Sequence, residues 1–281
     1  MKRCYGIIGG DRRQVELARL LEEDGAEIYT YGLREWNAPG ADSLERAAGA
    51  DVVVLPLPLC VGGALNCREA TVEMRELFCY FNPEQRILAG CVDKQQQLEA
   101  ERYGLKLEDY YQHEELIVAN AAATAEAAVQ IAMEQLDETL LGMECLVVGF
   151  GRIGKLLSHR LAGMGARVTA TARKREDIAW IRAYGFCAED TLKLEGKLGA
   201  FGAVFNTVPV SVLDAALVNQ LKPGCLCVDL ASRQGIDLAA AERRGLPNLW
   251  AKSLPGRILP STAAKAIRDT IYHMLSEGDP A

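Results

Sequence analysis

The sequence has no excess of positive charge. Its 31 lysines and arginines are outnumbered by 38 aspartates and glutamates, which leaves a formal net charge of −7. Nucleic acids and anionic membrane surfaces are bound through a basic excess that offsets phosphate charge, so we expect neither as a partner. The chain also lacks the long uninterrupted apolar run of a membrane span, and Met1–Gly10 lacks the apolar length of a signal peptide. These absences predict a cytoplasmic protein.

The cysteines form no motif typical of a metal site. There are nine of them, but no C-x-x-C pair and no Cys/His cluster with the spacing of zinc ligands. Most lie inside apolar runs, as Cys145, Cys225 and Cys227 do, which predicts buried small hydrophobic side chains in a reducing compartment. The sequence therefore predicts no metal.

Histidines are few, and no motif for acid–base or nucleophilic catalysis stands out. The chain has three histidines and neither a G-x-S-x-G motif nor a catalytic Cys/His signature. His159 falls on a predicted helix beside Arg160 and is expected to be exposed. His113 and His273 have no partner that the sequence can identify. We expect all three histidines to be structural or solvated.

What the chain does contain is a regular alternation of apolar strands with helical patterns. In the first half the predicted strands are Cys4–Gly9, Ala26–Tyr31, Asp51–Leu55 and Arg86–Ala89, and the predicted helices are Val15–Gly25, Arg68–Cys79 and Asp93–Tyr103. In the second half the predicted strands are Glu144–Val148, Arg167–Thr171, Ala203–Asn206, Gly224–Asp229 and Asn248–Ala251. Strands that are apolar on both faces and alternate with helices form parallel sheets covered on both sides. The predicted fold class is α/β with two domains.

A long segment rich in strong helix formers separates the two halves. Asn120–Leu141 predicts one long helix, and Ser261–Leu275 predicts a last helix that packs back on the first domain. We expect a first domain over 1–118 that is completed by 260–281, an interdomain helix over 119–141 and a second domain over 142–259.

The second half begins with a glycine-rich turn. Gly149–Gly154 has the spacing G-x-G-x-x-G and lies between a predicted strand and a predicted helix. In that context the first glycine makes the tight turn, the second lets a pyrophosphate approach the backbone, and the third lets helix and strand pack closely. The alternative is a tight turn without a ligand. The motif predicts a C-terminal NAD(P)-binding Rossmann domain behind an N-terminal flavodoxin- or Rossmann-like parallel sheet.

The end of the following strand bears on which dinucleotide is bound. NAD sites usually place an acidic residue there to bind the ribose hydroxyls, but no acid precedes Glu176 in this segment. Arg173–Arg175 is a run of three cations, which suits the 2′-phosphate of NADP. A solvated basic helix start is the alternative. The sequence predicts NADP(H) as the cofactor.

Loops after two further strands are expected to border the ribose and nicotinamide, since ligands bind at the carboxyl ends of parallel strands. For Asn206 and Thr207 a plain turn role is the alternative, and for Asp229 it is a helix cap. The predicted cofactor-binding residues are Gly149, Phe150, Gly151, Arg152, Ile153, Gly154, Ala172, Arg173, Lys174, Arg175, Asn206, Thr207, Val208, Pro209, Asp229 and Leu230.

The first domain offers an anion site at its first strand-to-helix turn. Gly9 and Gly10 would let an anion approach backbone N–H groups, and Arg12 and Arg13 could make forked contacts with a carboxylate. The alternative is a surface turn with one solvated arginine. Asp93 and Asn120 stand at predicted helix starts, where capping is the default role. These residues predict an NADP-dependent oxidoreductase with an anionic substrate.

Six short segments carry a resemblance that covers the whole chain. They are Ile8–Arg12, Leu55–Pro58, Asn120–Glu126, Val148–Gly154, Asp229–Ser232 and Leu254–Gly256. In this order they resemble the A subunit of dipicolinate synthase, a family found in spore-forming bacteria. The glycine motif is shared with many dehydrogenases, whereas its combination with the first and last segments is more specific. Ala127 and Ala128 depart from the Gly-containing helix start expected at that place.

The resemblance implies oxidation of a dihydrodipicolinate-type ring to dipicolinate, with NADP⁺ taking the hydride and the substrate derived from the lysine-pathway condensation product. It also implies an alanine dehydrogenase-like architecture with a cleft between two domains, an oligomer with a flavoprotein-like B subunit, and a location in the mother cell of a sporulating bacterium. The alternatives are an alanine dehydrogenase-like or shikimate dehydrogenase-like enzyme of amino or hydroxy acids, and a non-catalytic NADP-binding subunit.

A small dicarboxylate substrate would need cations for its two carboxylates and a group or a water to accept a proton. The expected substrate-binding residues are Gly10, Arg12, Arg13, Thr124, Arg233, Pro255 and Gly256. The candidate catalytic residues are Arg12, Arg13, Asp93 and Glu126.

Overall fold

The computed structural model describes residues 3–278, in which strands and helices alternate along the chain. The strands are β1 (Cys4–Ile8), β2 (Glu27–Tyr31), β3 (Val52–Val54), β4 (Cys60–Val61), β5 (Ala64–Leu65), β6 (Arg86–Ala89), β7 (Leu107–Asp109), β8 (Glu144–Val148), β9 (Arg167–Ala172), β10 (Cys187–Asp190), β11 (Ala203–Asn206), β12 (Leu226–Asp229) and β13 (Asn248–Trp250). The helices are α1 (Arg12–Glu23), α2 (Leu44–Ala48), α3 (Met74–Phe78), α4 (Lys94–Glu101), α5 (Glu114–Gln135), α6 (Arg152–Gly163), α7 (Arg175–Ala183), α8 (Ala215–Val218), α9 (Leu238–Arg243), α10 (Leu254–Ile258) and α11 (Pro260–Gly278).

The described chain divides into two compact units. The first comprises the residues up to Asn120 together with those from Pro255 onward, and the second comprises Ala121–Leu254. Each unit has its own parallel sheet. The predicted α/β fold class is confirmed.

The sheet of the first unit has five parallel strands in the order β2-β1-β3-β6-β7, and β4 and β5 form a separate antiparallel pair. Without that pair the order is the flavodoxin-like 2-1-3-4-5. The strand order reverses between β1 and β3. Ligands of open α/β sheets bind beside such a reversal, at the carboxyl ends of the strands. Gly9 and Gly10 follow β1, and Leu55–Pro58 follows β3.

Successive residues of these strands pack on opposite faces of the sheet. Ile7 and Val54 belong to a buried cluster that includes α1 and α11 side chains. Ile8 and Val53 belong to another cluster, which includes side chains of α2, α3 and α4. Side chains alternate with a period of two along a strand, so helices on both sides require apolar residues at every position. This requirement explains the continuous apolar runs in the sequence.

The sheet of the second unit has six parallel strands in the order β10-β9-β8-β11-β12-β13. Numbered within the unit, this is the Rossmann order 3-2-1-4-5-6, and it reverses between β8 and β11. The predicted strands Glu144–Val148 and Ala203–Asn206 are confirmed residue for residue. The glycine turn follows β8, so it lies at the reversal of the sheet.

Two helices differ from their predicted bounds by half a dozen residues at one end or both. The helix expected over Asn120–Leu141 is α5, which begins at Glu114 and ends at Gln135, so Asn120 lies inside the helix and not at its cap. The helix expected over Arg68–Cys79 is reduced to α3. Its first half is not helical: the carbonyl of Val72 accepts a hydrogen bond from Leu65 N at 3.0 Å, and the Val72 side chain is buried.

Helix α5 is the one helix among the described residues that is long and apolar enough, by length and composition, to cross a membrane. Polar residues interrupt it, so no continuous apolar run marks it in the sequence. Of its most apolar window, 56% is buried within the protein. A core helix of a globular protein passes the same test, so α5 is weak evidence for a membrane span.

The cysteines are less uniformly buried than the sequence predicts. All nine are free, and Cys145, Cys225 and Cys227 are buried as expected. Three others are exposed, namely Cys79, Cys91 and Cys187. Cys79 lies just after the short helix α3, and Cys187 opens the edge strand β10.

Candidate functional site

The glycine turn between β8 and α6 has a conformation that requires glycine at two of its positions. Gly149 has a φ of +96°, and a Cβ there would lie 2.6 Å from side-chain atoms of both Thr207 and Val208. A Cβ on Gly154 would collide with the carbonyl oxygen of Gly149. The turn therefore brings the loops after β8 and β11 together and sets the first turn of α6 against the strand.

The middle glycine of the motif faces open space. Outside its chain neighbours, no heavy atom of the described residues lies within 4 Å of the place a Cβ on Gly151 would occupy. Gly151 is the N-cap of α6, no side chain caps the helix, and the first turn has no acidic residue. Free N–H groups at a helix start, with the positive end of the helix dipole, bind anions. The residues present fit a dinucleotide pyrophosphate.

The side chains of the motif differ in exposure. Phe150 is only 4% exposed, and its ring lies 6.1 Å from that of Tyr184. Ile153 is half-buried and Arg152 is exposed. The Phe150 side chain is thus part of the packing. Of this residue, the backbone is the part that could contact a cofactor.

The basic segment after β9 is exposed to solvent, as a phosphate site requires. Arg173, Lys174 and Arg175 are all exposed, while Ala172 is buried at the end of the strand. Lys174 lies 3.4 Å from Glu176 in a surface ion pair. Arg173 and Arg175 have no carboxylate partner among residues 3–278. Two of the three cations therefore remain available for an anion.

Asn206 and Asp229 form a buried hydrogen-bond network at the ends of β11 and β12. Both side chains are fully buried, and Asn206 Nδ2 donates to Asp229 Oδ1 at 2.9 Å and to the Val208 carbonyl at 2.9 Å. Asn206 Oδ1 accepts from Val208 N at 3.0 Å. The network holds the loop after β11 in place.

The Asp229 carboxylate has no acceptor capacity left for a ligand. Besides Asn206, it accepts hydrogen bonds from Ala231 N at 3.1 Å, Gly235 N at 2.6 Å and Ile236 N at 2.9 Å. Four donors fill the two carboxylate oxygens. The predicted alternative of a helix cap is wrong, because the next helix, α9, is capped by Asp237. Asp229 ties a loop together instead.

Other predicted residues of this region lie on the same loops. Thr207 Oγ1 donates to the Val148 carbonyl at 2.9 Å, which anchors the loop to β8. Val208 is half-buried, Pro209 is exposed and Leu230 is buried. The turn role considered for Thr207 agrees with this contact.

In the first unit, three segments that are distant in sequence meet at one ion pair. Arg13 Nε and Nη2 donate to the two carboxylate oxygens of Asp11 at 2.9 and 2.8 Å. Arg13 Nη2 also donates to the Leu57 carbonyl. A Cβ on Gly256 would lie 2.7 Å from Asp11 Oδ2 and 2.9 Å from Arg13 Nε. Three segments therefore lie in contact at this ion pair: the first strand-to-helix turn, Leu55–Pro58 and the Pro-Gly segment of α10.

This contact corrects the expected role of Arg13. Its side chain is 6% exposed and its fork is taken by Asp11, so it does not offer a forked contact to a carboxylate ligand. Burial, the largest single influence, lowers the pKa of Arg13, but the hydrogen bond and charge of Asp11 outweigh it and raise that pKa above its ordinary value. Arg12 is exposed and has no partner among residues 3–278.

The roles of Asp11 as a helix cap and as the partner of Arg13 were not predicted from the sequence, where Asp11 was named only as part of a motif. Asp11 caps α1 in a capping box with Gln14, in addition to pairing with Arg13. An acid three residues before a glutamine at a helix start is the signal that could have found it. Nearby, Tyr110 is fully buried and donates to the Leu55 carbonyl at 2.9 Å, and burial raises the pKa of its phenol.

The contacts within each unit do not bring the remaining predicted substrate-binding and catalytic residues together at one place. Asp93 caps α4 by accepting from Gln96 N at 2.8 Å. Glu126 is exposed and pairs with Arg160 at 2.8 Å. Thr124 is buried within α5, and Arg233 is exposed. Pro255, Gly256 and the backbone of Gly10 are buried in the first unit.

Comparisons with known proteins find the same family that the motifs indicate. Residues 5–111 match the family described as the N-terminal domain of the A subunit of dipicolinate synthase. The chain is 26% identical over 282 residues to the dipicolinate synthase A subunit of Bacillus subtilis strain 168, an alignment that covers 96% of this chain and 95% of that protein.

Solved structures show the same likeness. The dipicolinate synthase A chain from Bacillus subtilis has a TM-score of 0.84 at 26% identity, with 99% of this chain and 97% of that chain covered. The A subunit from Bacillus halodurans has a TM-score of 0.85 at 24% identity, with 99% and 98% covered. An L-alanine dehydrogenase shares the fold, with a TM-score of 0.62 at 14% identity and 96% and 88% covered. Over residues 5–111 the chain is thus similar to the N-terminal domain of dipicolinate synthase A subunits, and over nearly its full length it is similar to the A subunit of Bacillus subtilis.

Proposed function

We propose that this chain is the dehydrogenase subunit of a dipicolinate synthase and oxidises a dihydrodipicolinate-type ring to dipicolinate. The ring loses one hydride and one proton and becomes an aromatic pyridine dicarboxylate. When bound, NADP⁺ would accept the hydride. The similarity to dipicolinate synthase A subunits and the dehydrogenase fold support a dehydrogenase-type role with a nicotinamide cofactor. The substrate and the choice of NADP over NAD are our proposals.

The observation that carries the cofactor proposal is the uncapped start of α6. Gly151 has open space in front of it, and no side chain caps the helix there, so the N–H groups of its first turn can bind a pyrophosphate. Arg173 and Arg175, which are exposed and without ion-pair partners among the described residues, follow the adjacent strand β9. An arginine fork suits a 2′-phosphate, whereas an acid would repel it. We therefore infer NADP(H).

For the substrate carboxylates we propose Arg12 and Arg233. Each is exposed and neither has an ion-pair partner among residues 3–278, in contrast to Arg13. Gly10 and Gly256 flank the Asp11–Arg13 pair and are proposed to shape the backbone near Arg12. Asp93 is engaged in capping and Glu126 in an ion pair, so we propose that water takes the proton.

The proposed partner and location follow from the relatives. The Bacillus subtilis relative is the A subunit of a synthase, which implies a second subunit. We propose that this partner is the flavoprotein-like B subunit and that the two form a hetero-oligomer. We also propose the cytoplasm of the mother cell of a sporulating bacterium as the location.

The function is tested by an ultraviolet assay that contains the lysine-pathway condensation product, NADP⁺, this chain and its B subunit. We expect NADPH and pyridine absorbance to rise together in equal amounts, since each ring oxidised gives one hydride. NADPH binding without turnover would instead establish the non-catalytic alternative. Turnover of an amino acid or a shikimate-type acid, with none of the condensation product, would replace the synthase by another dehydrogenase.

Replacing Arg173 by aspartate is expected to weaken NADPH binding by about 10- to 100-fold and to leave NADH binding nearly unchanged. The estimate is the roughly 1.5–3 kcal/mol of one charged hydrogen-bonded contact. Fluorescence titration of the reduced cofactors measures both affinities. Arg182→Asp is the matched control, because it makes the same charge change in the last turn of α7. Equal losses for NADPH and NADH in R173D would contradict a 2′-phosphate clamp.

A further inference from the structure

Three metal-binding side chains converge on the surface of the first unit, away from the motifs discussed so far. His113 immediately precedes α5, Glu115 lies in the first turn of that helix, and His273 lies on α11. Their ligand atoms all lie within 4.8 Å of one another. The two histidines are 160 positions apart, so sequence spacing could not have indicated that they meet.

The distances in this cluster are those of a metal coordination sphere. The Nδ1 atoms of His113 and His273 each lie 3.4 Å from the same Glu115 oxygen, Oε1. A tetrahedral site with bonds of about 2.0–2.2 Å has ligand atoms roughly 3.3–3.6 Å apart. Two edges of such a tetrahedron are already formed. The rings stand edge to face with centroids 6.1 Å apart, and the Nδ1 atom of each is the one close to the carboxylate.

A second carboxylate supports the far side of one imidazole. Glu277 Oε1 lies 3.3 Å from His273 Nε2, the nitrogen that does not face Glu115. Histidines that bind metals nearly always donate their other N–H to a carboxylate, a carbonyl or water, which fixes the tautomer and orients the ring. Glu277 is one helical turn from His273 and is in position for this role.

We propose that His113, Glu115 and His273 bind one transition-metal ion of the zinc type, with a water at the open fourth position and Glu277 as a positioning residue. Two imidazoles and one carboxylate favour Zn²⁺, Co²⁺ or Ni²⁺ over Mg²⁺ and Ca²⁺, which prefer all-oxygen sites. The side chains are 25%, 54% and 54% exposed, so an ion from solvent can reach them.

The ion would fasten the C-terminal helix to the start of α5. The ligands come from two segments whose buried side chains, Leu116 on α5 and Ile267 and Ile271 on α11, belong to one core cluster of the first unit. A ligand that binds only the folded state raises its stability. We therefore expect the metal to stabilise the first unit, independently of the proposed dehydrogenase activity.

The experiment uses the full chain freed of metal with a chelator, titrated with Zn²⁺ and then with Co²⁺. We expect one equivalent of Zn²⁺ to bind and to raise the Tm, and Co²⁺ to give the visible absorption of a tetrahedral site with nitrogen and oxygen ligands. H273A should weaken Zn²⁺ at least roughly 100-fold and abolish the Tm increase, and Glu277→Gln should weaken it by about 10-fold.

His159→Ala is the matched control, because it removes the third histidine of the chain, which is exposed on α6 of the second unit. It should bind Zn²⁺ as the unmodified chain does. All four side chains of the cluster are at least a quarter exposed, so circular dichroism should show folded variants. Equal losses in H159A and H273A, no stoichiometric binding, or a cobalt–thiolate absorption from the exposed cysteines would each overturn the proposal.

Discussion

A chain in which Gly151 is replaced by aspartate is expected to bind NADPH about 100-fold more weakly, or worse, while its fold is retained. The backbone at Gly151 has a φ of −77°, which any residue adopts, and the space around it is open. An aspartate also suits an N-cap, where it is better than glycine by about a few tenths of a kcal/mol. The variant should therefore melt at the same temperature as the unmodified chain or slightly above it.

The loss of binding follows from charge. A carboxylate at this position would occupy the place proposed for the pyrophosphate and would lie within a few ångströms of it. Two unit charges about 4 Å apart near a protein surface interact by roughly 4 kcal/mol, and 1.4 kcal/mol corresponds to tenfold in affinity. Stability and cofactor affinity are thus expected to change in opposite directions, which general damage to the domain would not produce.

The control for this prediction is Gly151→Asn, which has the shape of aspartate without its charge and is an equally good cap. It should lose part of the affinity through bulk and bind NADPH better than G151D. Fluorescence titration gives the affinities, and a thermal melt gives the stabilities. If G151D bound NADPH as the unmodified chain does, the pyrophosphate would have to be placed elsewhere.

The parts of the fold that the sequence predicts well are those that local rules determine. The turn Gly149–Gly154 needs only neighbours in the chain, namely an apolar strand, three glycines at set positions and a helix start. The buried strands β8 and β11 are covered on both faces, so all but one residue of each is apolar and the bounds are sharp. Core strands and their turns can therefore be located from the sequence alone.

Four strands were not predicted from the sequence: the two-residue strands β4 and β5, and the strands β7 and β10, which lie at sheet edges and carry acids. Strand β7 includes Glu108 and Asp109, and β10 includes Glu189 and Asp190. Edge strands are half exposed and often charged, so they lack the apolar run that marks a core strand. Their acids find partners only in three dimensions. Glu108 pairs with Arg86 on β6, for example.

The candidate sites depend on contacts that sequence spacing cannot show. Arg13 was expected to be available for a ligand, but its partners are Asp11 and the carbonyl of Leu57, 44 positions away. A buried guanidinium needs such partners to offset its desolvation. Which of two adjacent arginines is buried depends on the helix they begin and on the residues packed over it. The sequence could therefore predict the turn and its two arginines, and not which of the two arginines is buried.

Replacing Asp229 by alanine is expected to lower the free energy of unfolding of the second unit by about 3–5 kcal/mol, because it leaves four buried donors without an acceptor. These are Nδ2 of Asn206 and the backbone N–H groups of Ala231, Gly235 and Ile236. Chemical denaturation measures the loss. Hydrogen exchange should show the three backbone amides exchanging faster than in the unmodified chain.

The same substitution is expected to weaken NADPH binding, although the Asp229 side chain has no room for a further contact. Its carboxylate holds the segment 230–236 and, through Asn206, the loop that begins at Thr207. Both loops stand at the carboxyl ends of their strands, where the cofactor is proposed to bind. Asp229 would thus act through the loops as a positioning residue, and the affinity lost should follow the increase in exchange.

Asp237→Ala is the control, since Asp237 is an aspartate of the same unit that makes one capping hydrogen bond, to Ala240 N at 2.9 Å. Loss of a cap costs about 1 kcal/mol, so D237A should be several-fold less destabilised than D229A and should bind NADPH normally. A D229A chain as stable as D237A would mean that water replaces the carboxylate at little cost. In that case the buried network would not be what holds these loops in place.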